Sequence, residues 1–306
     1  MDITHGDTAH GDTRHGDITH GRVEANGLTF ATLEAGEGPL ALCLHGFPDS
    51  AWGWRHLLPD LAAAGYRAVA PFSRGYAPTE VPADGLYQSG ALVADATALH
   101  EALGGDGDAV VIGHDWGAFA AYGTASWQPD RWRRVVAAAV PPPGSGGSGF
   151  FTYAQLKRSW YMFFFQHGLS DMAVAMDDLA YIDGLWADWS PGYDATEDLA
   201  HVKDALRAPE NLAAALGYYR AMLGDGKKDA RYDEPQHAGG TPPPQPTLYL
   251  HGVDDGCLAV SMVADAAEHL VHPASRVELI EHAGHFLQLE QPATFNRLVI
   301  DFLQEA

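Results

Sequence analysis

Short, largely apolar runs punctuate the chain, at residues 40–44, 67–70, 109–112, 134–140 and 247–250, with a further strand-like run at 276–280. Continuous apolarity over so few residues marks strands buried on both faces, where an alternating pattern would mark a strand with one wet face. Helical stretches fall between them, at 51–64, 90–103 and 116–128. That alternation predicts an α/β fold with a mostly parallel sheet flanked by helices. Ahead of the first run, residues 22–25 and 29–34 flank Asn26-Gly27, a dipeptide suited to a tight hairpin turn. Two antiparallel strands should therefore open the sheet.

The alternation breaks at Pro141-Pro-Pro-Gly-Ser-Gly-Gly-Ser-Gly149, and no strand-like run returns until residue 247. A second proline-rich stretch, Gly239-Gly-Thr-Pro-Pro-Pro-Gln-Pro246, closes the interval. The expected organisation is a core in two parts, 23–141 and 246–306, with a helical cap at 142–245 on stiff linkers. The segment from Phe150 to Tyr219 carries 14 of the chain's 32 aromatic residues. Some of these should face the site, and Trp160, Phe164, Trp186 and Trp189 are the expected binding surface for an apolar or aromatic substrate. Residues 3–22 repeat with period five around Thr/Ala/Arg-His-Gly, which matches neither a helix nor a strand. With a glycine in every unit, residues 1–22 are expected to form a flexible tail, whose histidines could hold a divalent metal only adventitiously.

At 306 residues and 46% hydrophobic content, the chain can bury a large core. A formal charge of −22 argues against nucleic acid and anionic membranes as partners. Without a signal-like amino terminus or a membrane-length apolar run, the cytoplasm is the expected location. Cys43 and Cys257 provide no disulfide framework, and they argue against redox chemistry and a structural zinc site.

The chemistry concentrates at Val110-Val-Ile-Gly-His-Asp-Trp-Gly-Ala118, where an apolar strand breaks at Gly113, presents Asp115 and resumes as helix. This resembles the nucleophile elbow of the α/β-hydrolase fold, with Asp in place of the usual Ser. A carboxylate is ionised at neutral pH and attacks without a base. It forms an alkyl ester, so the electrophile should be a saturated carbon of an epoxide or a carbon–halogen bond. Esterase and C–C hydrolase chemistry would need Ser at position 115. In chain order an acid and a histidine should follow. The loop His251-Gly-Val-Asp-Asp-Gly256 offers Asp254 or Asp255, with Asp255 preferred. The loop Glu281-His-Ala-Gly-His-Phe286 offers His282 or His285, with His285 preferred because it follows the glycine. His285 would activate water, held by the acid. The backbone N–H groups of Phe47 and Trp116 are the expected oxyanion donors, while His45 and His114 read as structural.

Over residues 23–303 the chain resembles the α/β-hydrolase epoxide hydrolases. The resemblance rests on His45-Gly46-Phe47-Pro48, Gly113-His-Asp-Trp-Gly117, Asp255, and Gly284-His285 with Glu290 and Pro292 downstream. It implies that two cap tyrosines polarise the epoxide oxygen. The matching segments, Trp160-Tyr-Met-Phe-Phe-Phe-Gln166 and Gly217-Tyr-Tyr-Arg-Ala-Met222, carry the roles to Tyr161 and Tyr219, with Tyr218, Tyr153 and Tyr181 as substitutes. One departure is Phe72 after Pro71, where the family usually has Asp. The implied substrate is a small apolar or aromatic epoxide with water, and no cofactor or metal is required. The nearest alternative is a haloalkane dehalogenase with Trp116 as one halide donor. Its second donor is commonly an Asn where this chain has Phe47, so Trp160, Trp186 or Trp189 would have to substitute. A fluoroacetate-type dehalogenase usually has Arg where Trp116 stands. A binding protein that has lost turnover would usually have lost one of the three residues Asp115, Asp255 and His285. Oligomeric state is not readable from the chain, and a homo-oligomer is compatible with it.

Overall fold

A computed structural model describes residues 18–305. Eight strands form one sheet in the order β1-β2-β4-β3-β5-β6-β7-β8. They are β1 (Thr19–Ala25), β2 (Leu28–Ala35), β3 (Leu40–Leu44), β4 (Arg67–Pro71), β5 (Val110–His114), β6 (Arg134–Ala138), β7 (Thr247–Gly252) and β8 (Arg276–Ile280). The pairs β1–β2 and β2–β4 are antiparallel, and the rest are parallel. Asn26-Gly27 makes the β1–β2 turn with both residues at positive φ (45° and 76°), which this dipeptide tolerates. Strands β3, β5 and β6 are buried at every position.

Helices α1 (Leu57–Ala63), α2 (Ser89–Ala102) and α3 (Trp116–Trp127) cover the sheet with the carboxy-terminal helices α10 (Leu287–Glu290) and α11 (Pro292–Gln304). α2 packs on α3, and α1 on α11. Between β6 and β7 lie α4 (Tyr153–Arg158), α5 (Trp160–Phe164), α6 (Leu169–Trp189), α7 (Thr196–Leu206), α8 (Pro209–Leu223) and α9 (Asp233–Ala238). α6 is broken by left-handed residues Asp177, Asp178 and Leu179. Arg55 ties this helical layer to the core through a buried ion pair with Asp198 of α7. No helix among the described residues is long and apolar enough to cross a membrane.

Three local expectations change. Most of the five-residue repeat lies outside the described residues, but its last unit does not: the strand β1 starts at Thr19 rather than near residue 22, because residues 19–22 find ladder partners Glu34 to Ala31 on β2. The helix expected at 51–64 is a 3₁₀ turn at Ala51–Trp54 followed by α1. Ser50 caps that turn by accepting from the Trp52 N–H, and Gly53 sits against the Asp49 carboxylate, where a Cβ would fall 2.2 Å from Oδ2. The strand β6 stops at Ala138 because Ala139 turns to a φ of 66°.

Candidate active site

The carboxyl ends of β3, β5, β7 and β8 converge at Asp115. This residue holds φ 52° and ψ −118°, outside the regions open to L-residues at low cost, so the surrounding packing must hold it there. A Cβ on Gly117 would fall 2.0 Å from the Leu44 carbonyl oxygen, and one on Gly46 would fall 2.4 Å from the Asp115 Cβ. Only glycine lets the elbow and the β3 loop approach this closely.

The Phe47 N–H donates to Asp115 Oδ1 at 2.8 Å. The other carboxylate oxygen, Oδ2, lies 3.7 Å from His285 Nε2. His285 Nδ1 donates to Asp255 Oδ2 at 3.0 Å. Asp255 Oδ1 accepts from the N–H groups of Cys257 (2.7 Å) and Leu258 (2.9 Å), so the acid is fully satisfied while buried. The structure thus brings Asp255, and not Asp254, to the ring. His285 is buried, whereas His282 is exposed at a positive φ.

Burial alone would push the His285 imidazolium down, but the charges of Asp255 and Asp115 outweigh it and hold the pKa up at about 10. Burial would likewise raise Asp255, yet His285 outweighs it and keeps the carboxyl below its ordinary range. His285 thus sits between two acids, Asp255 at Nδ1 and Asp115 at Nε2. His45 and His114 differ, with burial lowering them to about 4 and about 3. His45 Nδ1 donates to the Gly46 carbonyl while Nε2 accepts from the Ser73 N–H, which shapes the β3 loop. His114 Nε2 donates to the His285 carbonyl at 2.9 Å and supports the histidine loop from below.

Asp115, Trp116, Tyr161 and Tyr219 share one cavity of about 390 Å³. Tyr161 reaches Cys257 Sγ at 3.4 Å. The Tyr219 hydroxyl is buried with no hydrogen-bond partner among the described residues. The Trp116 side chain is near enough to bear on it, but neither group closes a hydrogen bond of ordinary geometry. Burial raises both tyrosines well above the ordinary range, so both remain protonated donors. Of the substitutes, Tyr218 spends its hydroxyl on the Arg74 carbonyl (2.7 Å), Tyr153 is 86% exposed, and Tyr181 does not line the cavity.

The expected binding surface needs correction, because Trp160, Phe164, Trp186 and Trp189 do not line the cavity. Trp160 is on the surface and packs with Phe164 against Tyr181. Trp186 stacks on Phe286 and donates to the Pro48 carbonyl at 2.8 Å. Trp189 packs edge-on to the His285 ring at 5.0 Å. The walls are instead Phe119, Tyr122, Val140, Met162, Met222 and Met262, with Asp115 as the one carboxylate and no Lys or Arg among the lining residues.

Sequence reasoning missed the clamp at the end of α6. The Trp189 carbonyl accepts from the N–H groups of His285 (3.0 Å) and Gly256 (3.1 Å). Ser190 Oγ donates to Glu290 Oε1 at 2.6 Å, and Glu290 also accepts from the Gly284 and Phe286 N–H groups. One turn of the inserted layer is thereby bonded to both loops that carry His285 and Asp255. Glu290 belongs to the pattern that carries the family resemblance, but nothing in the sequence pairs it with Ser190, 100 residues away.

The comparisons with known proteins agree with this architecture. A model of the alpha/beta hydrolase family matches residues 41–298. The chain is 28% identical to the AB hydrolase superfamily protein YfhM of Bacillus subtilis, covering 92% of this chain and 96% of that one. It is 31% identical to epoxide hydrolase B of Mycobacterium tuberculosis, covering 87% and 92%. The solved structure of epoxide hydrolase A from Mycobacterium thermoresistibile superposes with a TM-score of 0.77 at 28% identity, covering 94% and 98%. The chain belongs to the α/β-hydrolase family, among its epoxide hydrolases.

Proposed function

We propose that the protein opens an apolar epoxide to a vicinal diol through an Asp115 ester. The observation that carries this reading is the sharing of one cavity by a carboxylate at the elbow and two protonated tyrosine hydroxyls. The Phe47 amide engages Oδ1, so Oδ2 is the oxygen left to attack. As Oδ2 bonds to an epoxide carbon, the C–O ring bond breaks and its electron pair stays on the ring oxygen. Tyr161 and Tyr219 donate to that oxygen and supply its proton.

Esterification removes the charge of Asp115, one of the two carboxylates that hold the proton on His285. The imidazolium proton then restores the tyrosine that gave up its own, and His285 becomes the neutral base the second step needs. It takes a proton from water, and hydroxide adds to the ester carbon. The oxyanion forms on Oδ1 against the N–H groups of Phe47 and Trp116. Collapse expels the diol oxygen as alkoxide, which takes the proton of the newly added hydroxyl; Asp115 returns as carboxylate and the proton taken from water remains on His285, which closes the cycle. Asp255 holds the ring throughout, and no cofactor or metal takes part. The inserted layer at 142–245 acts as the cap that supplies the tyrosines and excludes water.

Dehalogenation with the same nucleophile is less well supported. The Trp186 N–H is committed to Pro48, and none of the three cap tryptophans lines the cavity, so a second halide donor is missing among them. The test is turnover of a mixed panel of aryl and alkyl epoxides and alkyl halides, scoring diol and free halide separately. Diol formation that vanishes in Asp115→Ala is expected. Halide release without diol would overturn the reading.

A further inference from the structure

The reaction places the epoxide ring between Asp115 and the two tyrosines, and what surrounds that point decides the shape of the rest of the substrate. Apart from the reacting groups, the cavity walls come from α3, the linkers at 140–150 and 239–240, α5, α8 and the loop after β7. The β3 loop at 46–55, α6 and α7 contribute none of its lining residues. We propose that the site takes terminal epoxides with one uncharged alkyl or aryl arm and rejects internal epoxides that carry a chain on each ring carbon. This rests on the Asp115 reaction proposed above and adds the shape of its substrate.

The closed side is packed solid. Phe47, Phe165 and Trp189 are 0%, 0% and 2% exposed, and the rings of Phe165 and Trp189 lie 5.6 and 6.4 Å from that of Phe47. Both tyrosines back onto this block. Tyr161 lies 4.9 Å from Trp189 and 5.6 Å from Phe165, and Tyr219 lies 5.2 Å from both Phe47 and Phe165. An epoxide oxygen held by the two hydroxyls, with a ring carbon at Asp115, therefore has aromatic rings on one side and the cavity on the other. A second chain would have to displace rings packed at interior density, which do not yield several methylenes of space without strain.

The open side is built to receive one chain. Both linkers that bound the inserted layer help to wall it, together with Phe119 and Met262. Ser145 Oγ and the Gly146 N–H donate to the Asp265 carboxylate, which fixes the first linker against the loop after β7. In the second linker a Cβ on Gly239 would fall 2.7 Å from Phe119 Cε1, so glycine is what lets this backbone lie against the ring. Met222 lines the cavity and is 51% exposed, so the cavity meets solvent beside it. No Lys or Arg along the lining can pair with an acidic arm, which would be desolvated without compensation.

The experiment gives the full chain three isomers of one formula: the terminal epoxide of a ten-carbon alkene, and the cis and trans epoxides with the ring in the middle of the same chain. Equal carbon count holds the apolar content constant, so the comparison reads shape. The terminal isomer should exceed both others in kcat/KM by roughly 100-fold or more, since a single methylene in an apolar pocket already changes it about 10–200-fold. Phe165→Leu and Phe165→Ala, which open space behind the tyrosines, should shrink that ratio by roughly tenfold or more on the same scale. A parent ratio within about threefold of unity on that scale overturns the proposal. So does an unchanged ratio in Phe165 variants that melt cooperatively; if neither variant folds, the parent ratio decides. If no isomer were hydrolysed, the proposed reaction would fail, and calorimetric binding of the corresponding ten-carbon diols would still decide the shape. Tighter binding of the terminal diol would support a one-armed site, and equal binding would overturn it.

Discussion

Tyr219→Phe should make the protein more stable and less active at once. In the folded state the Tyr219 hydroxyl is buried without a hydrogen bond, and a buried polar group left unpaired costs about 1–3 kcal/mol. Phenylalanine removes that group while keeping the ring contacts to Phe47, Trp116 and Phe165, all at 5.2 Å between centroids. The fold should gain about 1 kcal/mol, a rise of roughly 2–4 °C in Tm for a chain of this class. In the reaction the same hydroxyl supports the opening ring oxygen, and loss of one preorganised donor typically costs about 2.7–4 kcal/mol, or roughly 10²–10³ in rate. Tyr161→Phe should lose a similar rate, but with little change in Tm, because its hydroxyl already has a weak partner in Cys257 Sγ. The assay pairs thermal unfolding with single-turnover ester formation, so that only the first chemical step is read. A Tyr219→Phe variant that reacts within about threefold of the parent, on that 10²–10³ scale, or that melts several degrees lower, would refute the assignment of this hydroxyl as a donor held ready for substrate.

Three further outcomes follow. The His285 ring, held protonated up to about 10 by Asp255 and Asp115, should titrate lower in Asp115→Asn, a neutral mimic of the ester; an NMR titration unchanged between the two would separate His285 from the nucleophile. Because the folded pKa lies above the ordinary value of about 6.5, this pair stabilises the fold fully below that value and the contribution is lost as pH rises through about 10. The parent should therefore lose more stability on the alkaline side than Asp115→Asn, as chemical denaturation at several pH values would read. Ser190→Ala and Glu290→Ala loosen the clamp on the His285 loop, so they should slow ester hydrolysis more than ester formation and let the ester accumulate in rapid-quench mass spectra; equal slowing of both steps would mean a general loss of fold.

The core was legible because most of the buried parallel strands appear as short, largely apolar runs, and because the elbow and the two later loops sit at strand ends in a fixed chain order. Asp115, His285 and Asp255 are separated by 30 residues or more, yet β5, β7 and β8 deliver them to one edge of the sheet. The choice of Asp255 over Asp254 turns on which carboxylate reaches the ring, and neighbouring identical residues cannot show that. The cap was less legible for a similar reason. Its aromatics are dense enough that several faces of each helix are apolar, so periodicity does not say which side meets the pocket. Trp186 and Trp189 proved to be the foundation under the histidine loop, and methionines form much of the wall. Glu290 stood out as part of the family pattern, but its bond to Ser190 was invisible because long-range hydrogen bonds between common polar residues leave no local pattern. The strand β1 was misjudged at its start because the repeat hides residues whose pairing with β2, rather than their own propensity, makes them a strand.

The most direct test of the account uses His285→Gln, which should form the ester and fail to hydrolyse it. The protein is mixed with a reactive aryl epoxide, and intact mass is followed by peptide mapping. The account predicts a long-lived adduct of one epoxide per chain on the peptide that carries Asp115, absent in Asp115→Ala. An unmodified His285→Gln protein, or an adduct on any other residue, would contradict it.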